Sequence, residues 1–322
     1  MDIEYLLFLQ NFREATNNVL SPLMEWVTKF SVSFFPIALM LVIYWALDRR
    51  AGRTLIAGLG AGLFMNGFLK LTFCVYRPWI RDARVLPYGD SKTAATGYSF
   101  PSGHSTRATA IFGGIGAWQR KRHIAITIVC FVLVALVMFS RNYLGVHTPQ
   151  DVLVGCLATA LVMYLTARLE CWSDADPKRD YYILAAGIVL CAAAAVYYAV
   201  KPYPLTLLAD GSLLVDPKKM RADSFEGIGF VLAYVVCRCV ARRKLPFDTA
   251  LDRKHRLPLA LAALLPVYLW VTKCTPLLLA ANRSLGKFLY YSVIVSYSML
   301  VVPGVFCLIG RCKKSSPTAN RL

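Results

Sequence analysis

Charge is scarce in this 322-residue chain: only 17% of its residues are Asp, Glu, Lys or Arg. An ordinary soluble domain carries about a quarter. With 57% hydrophobic residues and a mean hydropathy of +0.51, one core could not hide this much hydrocarbon, which excludes a cytosolic enzyme. An aromatic content of 12% excludes a disordered chain as well. Acids are the rarer charge, 18 against 36 Lys plus Arg, and there are only four histidines. Internal repeats and low-complexity tracts are absent. The ten cysteines lack metal-ligand spacing. Cys74, Cys130, Cys156, Cys191 and Cys307 lie in apolar runs, and the close pair Cys237-Arg-Cys239 sits in a basic segment. The opening MDIEYLLFLQNF lacks the basic region and cleavage site of a signal peptide, so it is expected to stay in the mature protein.

What the chain has in abundance is long apolar runs. A helix crossing a bilayer needs about 20 mostly apolar residues. Runs near Phe30–Leu47, Thr54–Tyr76, Ser102–Trp118, Ile124–Ser140, Pro149–Leu169, Tyr182–Val200, Phe225–Val240, Leu257–Val271 and Phe288–Ile309 predict about nine spans. Before them, Leu6, Leu7, Leu9 and Phe12, then Leu20, Leu23, Met24 and Val27, recur at helical spacing and predict amphipathic helices at the membrane interface. The fold class is therefore all-α, a polytopic transmembrane bundle.

The surplus of basic residues orients it. Twenty of the 36 fall in one set of loops, from Arg49-Arg50 through Arg120-Lys121-Arg122 and Arg242-Arg243-Lys244 to Lys313-Lys314. Seven of the 18 acids share those loops. The excess predicts that these loops are cytoplasmic, and it removes nucleic acid as a partner. The N-terminus and the loops at 77–100, 141–148, 201–223 and 273–287 then face away from the cytosol.

Three polar clusters interrupt the apolar runs, all on that second side. Lys70-x6-Arg77-Pro78 closes the second span, with both cations on one helix face; snorkelling to headgroups would explain them equally well. Pro101-Ser102-Gly103-His104 opens the third, where free N–H groups make an anion site and glycine admits close approach; a plain helix cap is the simpler alternative. Ser140-Arg141-x5-His147-x3-Asp151 joins the fourth and fifth. A carboxylate on one imidazole nitrogen fixes the tautomer and raises the basicity of the other. Arg141 offers a planar fork to phosphate oxygens. The other two histidines, His123 and His255, lie in basic loops. Three cations, two unlike histidines, one acid and a helix N-terminus on one membrane face describe a phosphoryl-transfer site. No acidic pair is expected near the site to hold Mg²⁺, so the cations are expected to neutralise the phosphate without metal.

These segments resemble the signature of the type 2 phosphatidic acid phosphatase superfamily, K-x6-RP, PSGH and SR-x5-H-x3-D, over roughly residues 50–170. Every signature residue is present, and nothing beyond about 175 matches a motif. The resemblance implies a metal-independent phosphatase with no cofactor. In it His147 would attack phosphorus and become phosphohistidine, oriented by Asp151. His104 would protonate the leaving group and then activate water. Lys70, Arg77 and Arg141, with Ser102 and the Gly103 N–H, would hold the phosphate oxygens. Vanadium haloperoxidases share these motifs but are largely soluble, and a non-enzymatic lipid transporter on the same fold would be expected to have lost some of them.

The expected organisation is an interfacial segment 1–29, a catalytic core 30–170, added spans 171–311 and a basic cytoplasmic tail 312–322. The expected partners are the bilayer and a lipid phosphate, whether isoprenoid, glycerolipid or sphingoid. The layout also resembles sphingosine-phosphate phosphatases and glucose-6-phosphatase, which keeps a soluble sugar phosphate as the alternative. With no retrieval or cleavable signal, the expected location is a bacterial inner membrane with the site outward, or the lumenal face of the endoplasmic reticulum in a eukaryote. Segment 201–224 is long for a connection on the site's side and is a candidate cover, or a solvated loop. Asn282-Arg283-Ser284 fits a glycosylation acceptor.

Overall fold

The computed structural model describes every residue except 96, 209–210, 246–250, 252 and 316–322. Most of the expected tail at 312–322 thus lies outside the described residues. Two helices come first, α1 (Asp2–Ala15) and α2 (Ser21–Ser31). Their inner faces grip the protein: Arg13 donates to Tyr143 O at 3.1 Å and Leu86 O at 2.7 Å. Their outer faces leave Phe8, Phe12 and Trp26 exposed.

α3 (Phe34–Val42) continues through a π-helical turn at Ile43–Leu47, and α4 (Arg49–Phe73) follows. Asp48 starts α4 by accepting from the Ala51 N–H at 2.9 Å, a side-chain cap for a donor the helix leaves unpaired. Cys74, in the left-handed region at φ 48°, ends it. Lys201 donates to the Thr72 carbonyl at 2.7 Å, placing a cation at that helix's negative end. Two short turns, α5 (Pro78–Arg81) and α6 (Ser91–Ala94), lie in the loop beyond.

α7 (Gly103–Ala108), a π-helical turn and α8 (Gly114–Gln119) run on without a gap. α9 (Ile124–Tyr143), α10 (Pro149–Asp174), α11 (Arg179–Val200) and α12 (Pro217–Lys244) are long and apolar. A proline-interrupted span comprises α13 (Arg253–Ala262), α14 (Leu264–Leu269) and α15 (Thr275–Ala281), and stands at the edge of the bundle with most side chains outward. α16 (Arg283–Ser296) and α17 (Val302–Ser315) close the chain. Seven helical stretches among the described residues can cross a membrane, or eight if α2 and α3, bent by 44°, form one span. The expectation of nine exceeds this because the third run is short and opens on a polar turn.

α4 is the axis of the bundle, with α10 on one side and α12 on the other. Gly227 of α12 permits that approach: a Cβ there would stand 2.5 Å from Phe64 Cα. At the end of the bundle where α4 starts, Arg53 pairs with Glu170 at 2.6 Å and Asp174 at 2.7 Å. Arg238 there pairs with Glu170 and with Asp180, the latter at 3.1 Å. Arg242 adds a 3.2 Å contact to Asp180. The expected cytoplasmic ends of α4, α10, α11 and α12 are thereby tied together.

Candidate active site

The three motifs meet at the opposite end. α10 begins with Thr148 as its cap and Pro149 in its first turn, and Asp151 Oδ2 accepts from the Thr148 N–H at 2.9 Å. The same oxygen faces His147 Nδ1 at 3.2 Å and accepts from Ser99 Oγ. His147 precedes the helix cap, so the pair meets through the capping geometry rather than across a regular helical turn. With Nδ1–H directed at Asp151, Nε2 carries the lone pair, which accepts from Arg77 Nη1 at 2.9 Å. Asn142 Nδ2 donates to the His147 carbonyl at 2.8 Å and fixes the backbone behind the ring.

Ser102 caps α7, with its Oγ accepting from the Ser105 N–H at 3.4 Å, and is fully buried. Its own N–H donates to Asp151 O at 2.9 Å. Gly155 leaves room for this seam, because a Cβ there would stand 2.8 Å from Ser102 O. Gly103 and His104 follow and line a cavity of about 200 Å³.

Lys70, Arg77, Arg141 and His147 line the same cavity. Lys70 Nζ donates to Tyr98 O at 3.0 Å and Pro101 O at 3.1 Å. Arg77 donates to Gly97 O at 3.1 Å and Val146 O at 2.9 Å, and its Nη1 lies 2.9 Å from His147 Nε2. Arg141 donates to Thr28 Oγ1 of α2 at 2.7 Å. Neither Lys70 nor Arg141 meets a carboxylate partner among the described residues. Burial first, and then the Arg77 guanidinium, hold the His147 imidazole well below its ordinary pKa range, against the pull of Asp151. A neutral imidazole is the nucleophilic form.

The structure thus brings Lys70, Arg77, Gly103, His104, Arg141 and His147 to one cavity, with Asp151 bonded behind His147 and Ser102 in the cap. The motifs do not predict the wall contributed by the second half of the chain. Asp223 and Glu226 of α12 and Lys287 of α16 line the cavity too. The expectation of no acidic pair near the site is corrected here: Asp223 and Glu226 are that pair, one helical turn apart. Both are taken up by cations, Asp223 by Arg283 through two 2.9 Å bonds, Glu226 by Arg107 and by Lys287 at 3.2 Å. Among the described residues no group of three His, Cys, Asp or Glu is placed to hold a metal ion. Glu226, an acid inside the apolar run that starts at Phe225, was the available signal for this wall. Of segment 201–224, the part from Pro217 on is the first turns of α12, and Met220 lines the cavity.

A sequence profile described as the PAP2 superfamily matches residues 51–173. Undecaprenyl-diphosphatase BcrC of Bacillus subtilis is 33% identical over 153 residues, covering 46% of this chain and 72% of that protein. The chain belongs to the PAP2 superfamily. Among its other relatives, phosphatidylglycerophosphatase B of Bacillus subtilis is 33% identical over 34% of this chain and 64% of that protein. Human sphingosine-1-phosphate phosphatase 2 is 27% identical over 50% of this chain and 40% of that protein. No solved structure matches the chain significantly. The superfamily match stops near the end of α10, so α12 and α16 stand outside it.

Proposed function

We propose that this PAP2-superfamily membrane protein is a phosphatase that hydrolyses the phosphate monoester or diphosphate of a lipid on the non-cytoplasmic face, without metal and through a phosphohistidine. The observation that carries the reading is His147, its Nδ1 held by Asp151 and its Nε2 at a cavity walled by Lys70, Arg77 and Arg141. Relatives named as phosphatases of undecaprenyl diphosphate, phosphatidylglycerophosphate and sphingosine 1-phosphate support a lipid substrate.

In the first step the Nε2 lone pair forms an N–P bond while the bond from phosphorus to the leaving oxygen breaks. That oxygen keeps the electron pair and takes a proton from His104. Water then attacks the phosphohistidine, His104 recovers a proton, and the N–P electrons return to His147 as phosphate leaves. Lys70, Arg77 and Arg141 offset the charge that collects on the equatorial oxygens.

Phosphate release from a panel of lipid and soluble phosphates, in detergent with EDTA, tests the reading. Turnover of lipid phosphates with EDTA present is the expected result. Turnover confined to soluble sugar phosphates, or abolished by EDTA, overturns it. Substituting His104 should slow alkyl phosphates far more than aryl phosphates with good leaving groups, and equal losses would remove its role as the acid.

A further inference from the structure

The cavity is lined by two cations beyond the three that surround the phosphoryl position, Arg107 of α7 and Lys287 of α16. Arg107 stands one helical turn beyond Gly103, and its Nη1 lies 3.5 Å from where a Cβ on that glycine would be. It therefore overhangs the anion-binding turn, within electrostatic reach of His104. Glu226 holds Arg107 on one oxygen and Lys287 on the other, at 3.2 Å. Asp223 lies 3.9 Å from Lys287 but spends both oxygens on Arg283. Two lining cations, Arg107 and Lys287, thus share the one carboxylate of Glu226 in the cavity that His104 also lines, where a leaving group would depart. Lys70, Arg77 and Arg141 already surround the phosphoryl position. A lipid monophosphate releases a neutral alcohol, which gives Arg107 and Lys287 no further counter-charge. A lipid diphosphate releases a phosphate monoester, which bears one negative charge as it takes a proton on leaving and about two once that proton is lost, and whose oxygens suit a guanidinium fork and an ammonium.

We propose that Arg107 and Lys287, braced on Glu226, form a second phosphate subsite that makes a lipid diphosphate the preferred substrate. This rests on the lipid-phosphatase reading above and narrows it. In the cleavage, the bond from the terminal phosphorus to the bridging oxygen breaks as the His147 N–P bond forms. The bridging oxygen keeps the electron pair and takes the His104 proton. Arg107 and Lys287 hold the lipid monophosphate as it leaves.

The test compares farnesyl diphosphate with farnesyl monophosphate on the full-length protein in detergent. R107Q and K287Q should each lose at least tenfold more kcat/KM on the diphosphate than on the monophosphate, with R107K in between. Methylenediphosphonate should inhibit wild type at least tenfold more strongly than methylphosphonate does, and that preference should vanish in K287Q. K287Q and R107K carry the test if R107Q does not fold. Equal losses on both substrates, no loss on either, or a wild type that prefers the monophosphate would overturn the subsite. A wild type active only on the monophosphate defeats the subsite but leaves the lipid-phosphatase reading standing, whereas one inactive on both defeats the two together.

Discussion

The bundle has a charged cluster at each end, and Lys70 and Arg141 beside His147 obey the opposite rule to the cations around Arg238. Around Arg238 each cation has acids: Glu170 and Asp180 for Arg238, Glu170 and Asp174 for Arg53, Asp180 for Arg242. Around His147, Lys70 and Arg141 donate to carbonyl and hydroxyl oxygens instead. Neutral acceptors take hydrogens from both without cancelling their charge, and the buried Arg141 Nε has no acceptor among the described residues. A buried ion pair with its partners in place fastens helices, whereas buried cations without carboxylates store an unmet demand for an anion. One cluster holds the bundle and the other waits for phosphate.

The largest expected effect breaks the second cluster at its centre. H147A should lower kcat by at least about 10⁴-fold, the scale seen when a nucleophile is removed. Acid-quenched wild type should retain labelled phosphate on histidine and H147A none. Turnover by H147A at wild-type rate would remove the nucleophile from the mechanism.

Exchanging the two clusters' arginines for glutamine sharpens the contrast. R141Q should lose about 10²–10³ in kcat/KM, as for a lost oxyanion donor, with thermal stability equal to or above wild type. R238Q leaves Glu170 and Asp180 short of a cation and should cost about 3 kcal/mol of stability, while the folded fraction keeps its specific activity. Unfolding followed by circular dichroism in detergent, beside phosphate release, separates the two. If R141Q unfolds and R238Q is merely slow, the assignment of roles is reversed.

What could be read from the residues divides along the same line as the clusters. The catalytic motifs are short and each sits at a helix end, so local rules place most of them: a cap at Ser102 and a capping box at Thr148 and Asp151. The shared helix face expected for Lys70 and Arg77 is not found, because α4 ends at Phe73, Cys74 turns into the left-handed region and Arg77 stands on extended backbone. Arg107, Glu226 and Lys287 meet only through the packing of α7, α12 and α16, which no local pattern specifies. Their one signal is chemical: Asp223 and Glu226 are carboxylates one helical turn apart where the apolar run of α12 begins. The amphipathic pattern of α1 and α2 was visible too, yet periodicity does not distinguish a lipid surface from the loop that Arg13 grips. The third expected span corresponds to α7 and α8, which run without a gap from the site end to the Asp48 end of α4 but are shorter than the other long helices.

The next effect is about tenfold per pH unit and concerns the electrostatics of the catalytic cluster. The folded pKa of His147 is lowered, so the ring stays neutral below the ordinary value of about 6.5. Between the two values the unfolded chain binds the proton and the folded one does not, so stability falls as pH drops below about 6.5. Titration of ¹⁵N-histidine-labelled protein, with the His147 signal identified by its loss in H147Q, should show a neutral ring at pH 6.5. R77Q should move its titration upward, because the guanidinium opposes protonation. A ring already half protonated at pH 6.5 would contradict the environment described above.

The smallest effect belongs to the structural end. Asp48 accepts the Ala51 N–H at 2.9 Å and the Trp118 indole N–H at 3.2 Å, joining the start of α4 to the end of α8. D48A removes a helix cap and should cost about 1 kcal/mol. D48N keeps one acceptor oxygen for the Ala51 N–H and should recover the cap, while its amide N–H₂ cannot accept from the Trp118 indole. Neither change reaches the phosphate cavity, so kcat/KM should stay within about twofold while the unfolding midpoint falls in D48A. If D48A loses activity in step with stability, the two ends do not act independently. The start of α4 then controls where Lys70 stands at its other end, and the separation between a cluster that holds and a cluster that reacts fails.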